Sequence, residues 1–364
     1  MLELAGIGTA VPARSIRQSA AARWALDFCA GEPERLRSLP LLYRNTQVRK
    51  RGCVVLEKGN GFAPQAPFFP PAQDRADRGP TTRRRMERYA QEAPRLALAA
   101  AGRALKESGS DPARISHLIT VSCTGFSAPG VDVALIRKIG LPPEVARTHV
   151  GFMGCHGALN ALRVAAAFGQ ADPAARILLC AVELCSIHFR YGPRPDALVA
   201  NALFADGAAA VVAVPSAGGS RGGGAWRLAA AGSSLFPDSE EAMGWRIGDH
   251  GFEMSLSPQV PALIGRHLRP WLERWLRANG FRLSQIRSWA IHPGGPRILS
   301  AVADGLGLAP AAAADSGRVL SDCGNMSSPT ILFILDRLRR KRSGRPCVAL
   351  GFGPGLAAEA ALLL

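Results

Sequence analysis

The sequence predicts an α/β fold built from two halves that repeat one order of elements. Three observations lead there. Short, continuously apolar runs alternate with longer helical stretches, which suits strands covered by helices on both faces. The glycine-rich joint Pro215-Ser-Ala-Gly-Gly-Ser-Arg-Gly-Gly-Gly224 divides the chain into segments 1–214 and 225–364. In each segment the first such run ends in a small-residue turn, Cys123-Thr-Gly125 or His292-Pro-Gly-Gly295.

In the first half a helical stretch over 84–108 precedes the apolar strand Ile115–Val121. A helix near 130–139 follows, then a helix opening right after Cys155, then the strand Arg176–Val182. In the second half a helical stretch over 258–279 precedes the strand Ser288–Ile291. A helix from Pro296 follows, then Cys323–Thr330 opens a helix to about Arg340, and the strand Cys347–Leu350 comes last. Gly59–Pro80 is rich in Pro and Gly without periodicity and reads as a loop. The longest apolar tract, Pro346–Leu364, is broken by Gly351, Gly353, Pro354, Gly355 and Glu359. It reads as strand, loop and strand, and no integral membrane association is expected.

At 364 residues the chain is long enough for one large core or two ordinary domains. Hydrophobic residues at 48% and charged residues at 20% give a soluble globular composition and exclude a disordered one. The N-terminus lacks the basic, apolar and small pattern of a signal peptide. The eight cysteines form no C-x-x-C pair and have no histidine at metal spacing. Neither a metal site nor a disulfide framework is expected, and the expected compartment is the cytoplasm. The net charge of +16 invites a nucleic-acid reading, but only five of the 44 basic residues are lysine. The densest runs, Arg83–Arg85 and Arg337–Arg342, lie on predicted helices without interleaved aromatics, so solvated faces are the plainer reading. A milder reading is attraction of polyanionic small substrates.

One cysteine stands apart. Cys155 sits in Gly151-Phe-Met-Gly-Cys-His-Gly157, directly before the helix-forming run Ala158–Phe168. Glycines strip bulk from around the sulfur, and the positive end of a helix favours the thiolate, so a lowered pKa is expected. The bland reading is a small buried hydrophobe, the commonest use of a free cysteine. If the halves are a duplication, Cys155 and Asn325 stand at equivalent helix starts, with His292 at a strand end beside them. That places three reactive residue types at the seam between the halves.

Two reactions fit a thiol, a histidine and an asparagine. In one, Cys155 takes an acyl group from a thioester. The N–H groups of His292 and Asn325 then form an oxyanion hole for the enolate left when a malonyl thioester loses carbon dioxide. In the other, the three act as a papain-like hydrolytic triad, although the local pattern of that family around its cysteine is missing. The plainer roles are a turn residue for His292 and a helix N-cap for Asn325.

The segments Gly151–Gly157, Asn201-Ala-Leu-Phe-Ala-Asp-Gly-Ala-Ala-Ala210, Ile291-His-Pro-Gly-Gly-Pro296, Gly324-Asn-Met-Ser-Ser328 and Gly351-Phe-Gly-Pro-Gly355 together resemble type III polyketide synthases, the chalcone-synthase-like family. The resemblance runs in order from about residue 5 to the C-terminus. It implies a thiolase-type fold of five alternating layers, and a homodimer. It also implies Cys155 as the acyl carrier, with His292 and Asn325 as the pair for decarboxylation and condensation. Phe204 matches the gatekeeper between entry tunnel and cavity. Met254 replaces a second gatekeeper phenylalanine, with Phe252 as the alternative. Cys123, Thr124, Cys185, His188 and Ser327 match the cavity lining. Ala128 stands where the plant enzymes reach across the dimer with a methionine, which opens space. Gly351, Phe352, Gly353, Pro354 and Gly355 match an active-site loop. Arg297, following Gly294 and Gly295, matches a coenzyme A contact, and Arg44 and Lys50 lie near the matching tunnel-mouth positions.

Glu240-Glu-Ala-Met-Gly-Trp245, with Cys123 and Met254, resembles the bacterial subgroup that takes fatty acyl starters and makes alkylpyrones or alkylresorcinols. The expected activity is therefore iterative condensation of an acyl-CoA starter with malonyl-CoA, with coenzyme A thioesters as substrates and no cofactor. Two alternatives stand beside it. One is a single-round ketosynthase III-like acyltransferase, and the other is an arginine-rich nucleic-acid-binding protein whose thiol is structural.

Overall fold

A computed structural model describes residues 1–29, 37–57, 67–216 and 226–364. Most of the glycine-rich joint and the first part of the Gly59–Pro80 stretch lie outside the described residues. The strands are β1 (Leu2–Ala10), β2 (Ser15–Arg17), β3 (Lys50–Gly52), β4 (His117–Ser122), β5 (Ala146–Gly151), β6 (Ile177–Leu184) and β7 (Asp206–Pro215). Beyond the joint come β8 (Trp226–Leu235), β9 (Met243–Gly248), β10 (Gly251–Leu256), β11 (Ser288–Ile291), β12 (Cys347–Gly353) and β13 (Ala357–Leu363). The helices are α1 (Gln18–Trp24), α2 (Leu39–Asn45), α3 (Thr82–Ser108), α4 (Val131–Ile139) and α5 (Gly157–Ala171). They continue with α6 (Pro195–Leu203), α7 (Val260–Ala278), α8 (Pro296–Leu306), α9 (Ala314–Cys323) and α10 (Pro329–Arg340).

Nine strands hydrogen-bond in the order β11-β12-β13-β8-β1-β7-β6-β4-β5. The order repeats on either side of the β8–β1 seam. From the seam outward, β1, β7, β6 and β4 correspond to β8, β13, β12 and β11. In both halves the two strands farther out in this set are parallel and the other pairings are antiparallel. At the seam β1 and β8 pair antiparallel over Leu2–Leu4 and Trp226–Leu228.

Alternate residues of a strand point to opposite faces, so a strand apolar throughout feeds two cores. On β6, Leu178, Cys180 and Val182 join the core under α3 and α4, whereas Ile177, Leu179 and Ala181 face α5 and α10. On β12, Val348, Leu350 and Phe352 face α7 and α8, whereas Cys347 and Ala349 face the same middle core. The result is helix, sheet, helix, sheet, helix: the five layers of a thiolase-type fold. α5 and α10 form the middle layer through Leu159, Leu162, Ile331 and Leu335. Each such side chain, when buried, contributes about 1.5–3 kcal/mol relative to exposure.

The strand expected at Ser288–Ile291 has those bounds, and the helix expected over 84–108 begins two residues earlier, at Thr82. The tract Pro346–Leu364 is the strand, turn and strand it was expected to be. The sequence reading has no counterpart for β1, β5, β7, β8 or the β9–β10 hairpin. Ala208–Ala210 on β7 would favour a helix by local propensity, and burial between two helix layers overrides it.

Candidate active site

Cys155 lies in a single tight turn, Gly154–His156, that runs into α5 at Gly157. It is half-buried and opens onto the pocket it lines. The turn packs against the end of β12 so closely that side chains are excluded. A Cβ on Gly353 would lie 2.4 Å from the His156 ring, and one on Gly154 would lie 2.5 Å from Pro354. The Gly351–Gly355 segment is thus a cradle for the cysteine turn. Phe352 faces away into the outer core of the second half, and Pro354 reaches the thiol pocket.

His292 directly follows β11, and its backbone N–H continues the ladder by donating to Leu350 O at 2.8 Å. Its side chain is buried, and neither ring nitrogen has a partner among the described residues. Burial lowers its pKa to about 3, and a charge on nearby His156 would push it the same way. The ring is therefore neutral and carries one N–H. Asn325 sits four residues ahead of α10, whose N-cap is Ser328, so it is not the helix cap. Its Oδ1 accepts from the Ser327 N–H at 2.8 Å, and its side chain lies near enough to the Cys155 thiol to favour the charged form. Asn325 acts on the Cys155 thiol itself, and His292 lies near His156 of the same turn, although neither His292 nor Asn325 lines the pocket on which Cys155 opens.

The expected lowering of the thiol pKa is reversed. Burial pushes Cys155 up to about 11, and the Glu183 carboxylate adds to the rise. Hydrogen bonds from Ser327 and Asn325 pull the other way without overcoming the loss of water. Glu183 itself went unnoticed in the sequence. It stands next to last in an otherwise apolar strand, fully buried, and that isolation was the available signal. It accepts from the backbone of Cys123 and Thr124, from Thr124 Oγ1 at 2.6 Å and from Ser328 Oγ at 2.8 Å. Burial nevertheless raises its pKa.

Phe204, Met254, Phe252, Cys123, Thr124, Cys185, His188 and Ser327 all line the pocket with Cys155. Its cavity volume is 70 Å³. Ala128 does not line it. It is exposed and opens on a separate cavity of 300 Å³, with Tyr89, Ser122 and Phe126. The segment Ser122–Phe126 is the wall between the two: Cys123 and Thr124 face the thiol, while Ser122, Gly125 and Phe126 face the other side. Gly294, Gly295 and Arg297 line a third cavity of 440 Å³ on the far side of Leu203–Phe204. Arg44 and Lys50 do not line it. Arg44 borders a surface cavity with Arg23 and Arg37, and Lys50 borders another with Arg17. Among the described residues, no three His, Cys, Asp or Glu side chains gather as a metal site. No helix among them is long and apolar enough to cross a membrane.

A duplicated five-layer α/β fold with a cysteine, a histidine and an asparagine meeting between its halves defines a condensing acyltransferase of the thiolase type. Within that class, the chain belongs to the chalcone and stilbene synthases: their N-terminal domain profile matches residues 2–216 and their C-terminal domain profile residues 227–364. It is a type III polyketide synthase. It is 32% identical over 363 residues to the alpha-pyrone synthesis polyketide synthase-like Pks18 of Mycobacterium tuberculosis, covering 98% of this chain and 89% of that one. It is 38% identical to a 1,3,6,8-tetrahydroxynaphthalene synthase of Streptomyces peucetius, covering 74% and 72% of the two chains. Among solved structures, PKS-I from the brown alga Ectocarpus siliculosus superimposes with a TM-score of 0.92 at 30% identity, covering 100% of this chain and 97% of that one. The fungal type III polyketide synthase ORAS gives 0.86 at 28%, covering 100% and 99%.

Proposed function

We propose that this synthase loads a fatty acyl group from an acyl-CoA starter onto Cys155 and extends it with malonyl-CoA. The observation that carries the reading is an unspent donor on one residue and a held amide on another. The one N–H of the neutral His292 ring has no partner among the described residues, and Asn325, held through its Oδ1, has its side chain beside the thiol.

In the loading step Cys155 Sγ attacks the thioester carbonyl, and coenzyme A leaves with the thiol proton. A malonyl thioester then loses carbon dioxide, and the electron pair of the broken bond becomes an enolate. Its oxygen is met by the N–H groups of His292 and Asn325, in a site where water is largely excluded. The enolate carbon attacks the acyl carbonyl, the Cys155 thiolate departs, and the chain, two carbons longer, now sits on coenzyme A. Reloading repeats the cycle until the product closes as a pyrone or resorcinol-type ring. Gly294, Gly295 and Arg297 are the side from which coenzyme A approaches, with Phe204 between that cavity and the thiol.

A fatty starter is favoured by the space beside Ala128, which is several times that around the thiol and is parted from it by one segment of chain. A second copy of the chain is the expected partner. β5 is one of the two outer strands of the sheet order, with one edge open among the described residues, and Phe126 and Met153, both large and exposed, lie near it. Mass spectrometry of products from straight-chain acyl-CoA starters with malonyl-CoA tests the reading. Pyrones or resorcinols carrying the starter chain support it. Release of a singly extended product would favour the single-round alternative.

A further inference from the structure

Arg85 is a fully buried cation that stands outside the pocket and touches none of the residues assigned to chemistry. Its hydrogen bonds all go to backbone carbonyls. Nε donates to Pro80 O at 2.8 Å, and Nη1 donates to both Ile187 O and Phe189 O. The guanidinium lies 5.1 Å from the centre of the Phe69 ring. On its other side is Gly251, at φ 102°, where a Cβ would come within 2.9 Å of Nε. Taking so strong a donor out of water costs several kcal/mol unless something specific is gained.

What it holds is the residue between its two carbonyl partners. His188 lines the thiol pocket, and its ring joins two elements. Nε2 meets Thr124 O at 2.6 Å, and a carbonyl only accepts, so Nε2 carries the hydrogen. Nδ1 then accepts from the Phe252 N–H at 3.0 Å. The ring stacks on Phe252 at 4.3 Å, and Trp245 stands edge-on to both while donating to Cys123 O at 2.7 Å. This arrangement requires a neutral ring, since a hydrogen on Nδ1 would face the Phe252 N–H. Burial lowers the His188 pKa to about 3, and the charge of Arg85 opposes protonation further. Arg85 therefore fixes His188 through the backbone on both sides and favours the neutral ring that Phe252 needs, whose tautomer is set by Thr124 O. Through Gly251, the residue before Phe252, it also contacts the β9–β10 hairpin from the other end.

We propose that Arg85 is a positioning residue for starter selection: it sets the His188–Phe252–Trp245 wall of the acyl pocket and so the starter length the enzyme accepts. The inference rests on the polyketide synthase reading above. Two variants approach the contact from opposite sides. Arg85→Lys keeps the charge and loses the fork that spans two carbonyls. Gly251→Ala keeps every hydrogen-bonding group and crowds the guanidinium, and it also strains the backbone at φ 102°, so it counts only where it agrees with Arg85→Lys. Each is assayed for kcat/KM over acyl-CoA starters of increasing length, and for decarboxylation of malonyl-CoA alone.

The expected result is that the ratio of long to short starters shifts by about tenfold, the effect of misfitting roughly one methylene. Decarboxylation, which depends on His292 and Asn325, stays within about twofold, well below the loss of one oxyanion donor. A lowered melting temperature with an unchanged starter profile would show that Arg85 serves folding alone and overturn the proposal. If Arg85→Lys is insoluble, Arg85→Gln, which keeps a planar amide donor on a shorter side chain, takes its place in the same assays. If the unmodified enzyme turns over no acyl-CoA starter, it is the functional reading that fails, and the two failures are told apart by that control.

Discussion

Phe204 and Asn325 are paired backbone to backbone in a parallel bridge. Asn325 N–H donates to Leu203 O at 3.0 Å, and Ala205 N–H donates to Asn325 O at 2.8 Å. The residue proposed as gate in one half and the residue proposed as amide donor in the other therefore share one backbone joint. If Phe204 gates as proposed, its side chain can turn while this backbone pairing holds Asn325 in place.

Loading and decarboxylation should separate by mutation. Cys155→Ala should abolish acyl loading, read as added mass on the Cys155 peptide, and retain measurable decarboxylation of malonyl-CoA. His292→Ala and Asn325→Ala should each lose about two to three orders of magnitude of decarboxylation, the effect of one oxyanion donor. Equal loss of decarboxylation in all three would contradict this division of labour.

The resting thiol should be slow to alkylate. With its pKa pushed up to about 11, the thiolate forms only as pH rises, so iodoacetamide labelling of Cys155 should climb through the alkaline range. Ser327→Ala removes a hydrogen bond that favours the thiolate, and should move the curve further up. A labelling plateau at neutral or mildly acidic pH would mean that the helix end outweighs burial.

Starter length should respond to the cavity beside Ala128. Preference should rise with each methylene, by up to ~0.8 kcal/mol, until the space is full. Ala128→Trp should move the optimum to shorter starters and spare decarboxylation. A flat length profile, or an unchanged optimum in Ala128→Trp, counts against a tunnel on this side.

Acid should destabilise the fold through its neutral histidines. His188 and His292 have folded pKa values near about 3 against an ordinary 6.5, so below 6.5 the unfolded chain binds protons that the folded chain refuses. Stability is complete above that value and falls as pH drops toward 3, by roughly 1.4 kcal/mol per unit for each histidine. His188→Gln should melt with a shallower pH dependence over this window. An identical slope would place the acid sensitivity elsewhere.

Much of this was legible because chemistry at this site depends on glycine. Gly154 and Gly353 mark the contact between the cysteine turn and its cradle, and both stand in motifs visible in the chain. The repeat of elements was legible from Ser288–Ile291 and Cys347–Leu350, since strands buried on both faces are apolar throughout. What stayed hidden depends on distance in space. No spacing places Glu183 under Cys123, separates Ala128 from the thiol pocket, or sets Arg44 apart from Arg297. The rise in the thiol pKa was out of reach because helix geometry is local and readable, whereas burial and the Glu183 charge draw on segments far apart in the chain.

The repeated strand order also bears on why the two halves share one chain. Cys155 and Asn325 stand ahead of corresponding helices, α5 and α10, yet the reaction needs a nucleophile at one and an amide at the other. A symmetric pair of identical single halves would carry the same residue at both places. Covalent linkage lifts that restriction, so like positions can hold unlike side chains, and the asymmetry of the reaction is written as a difference between two copies of one scaffold.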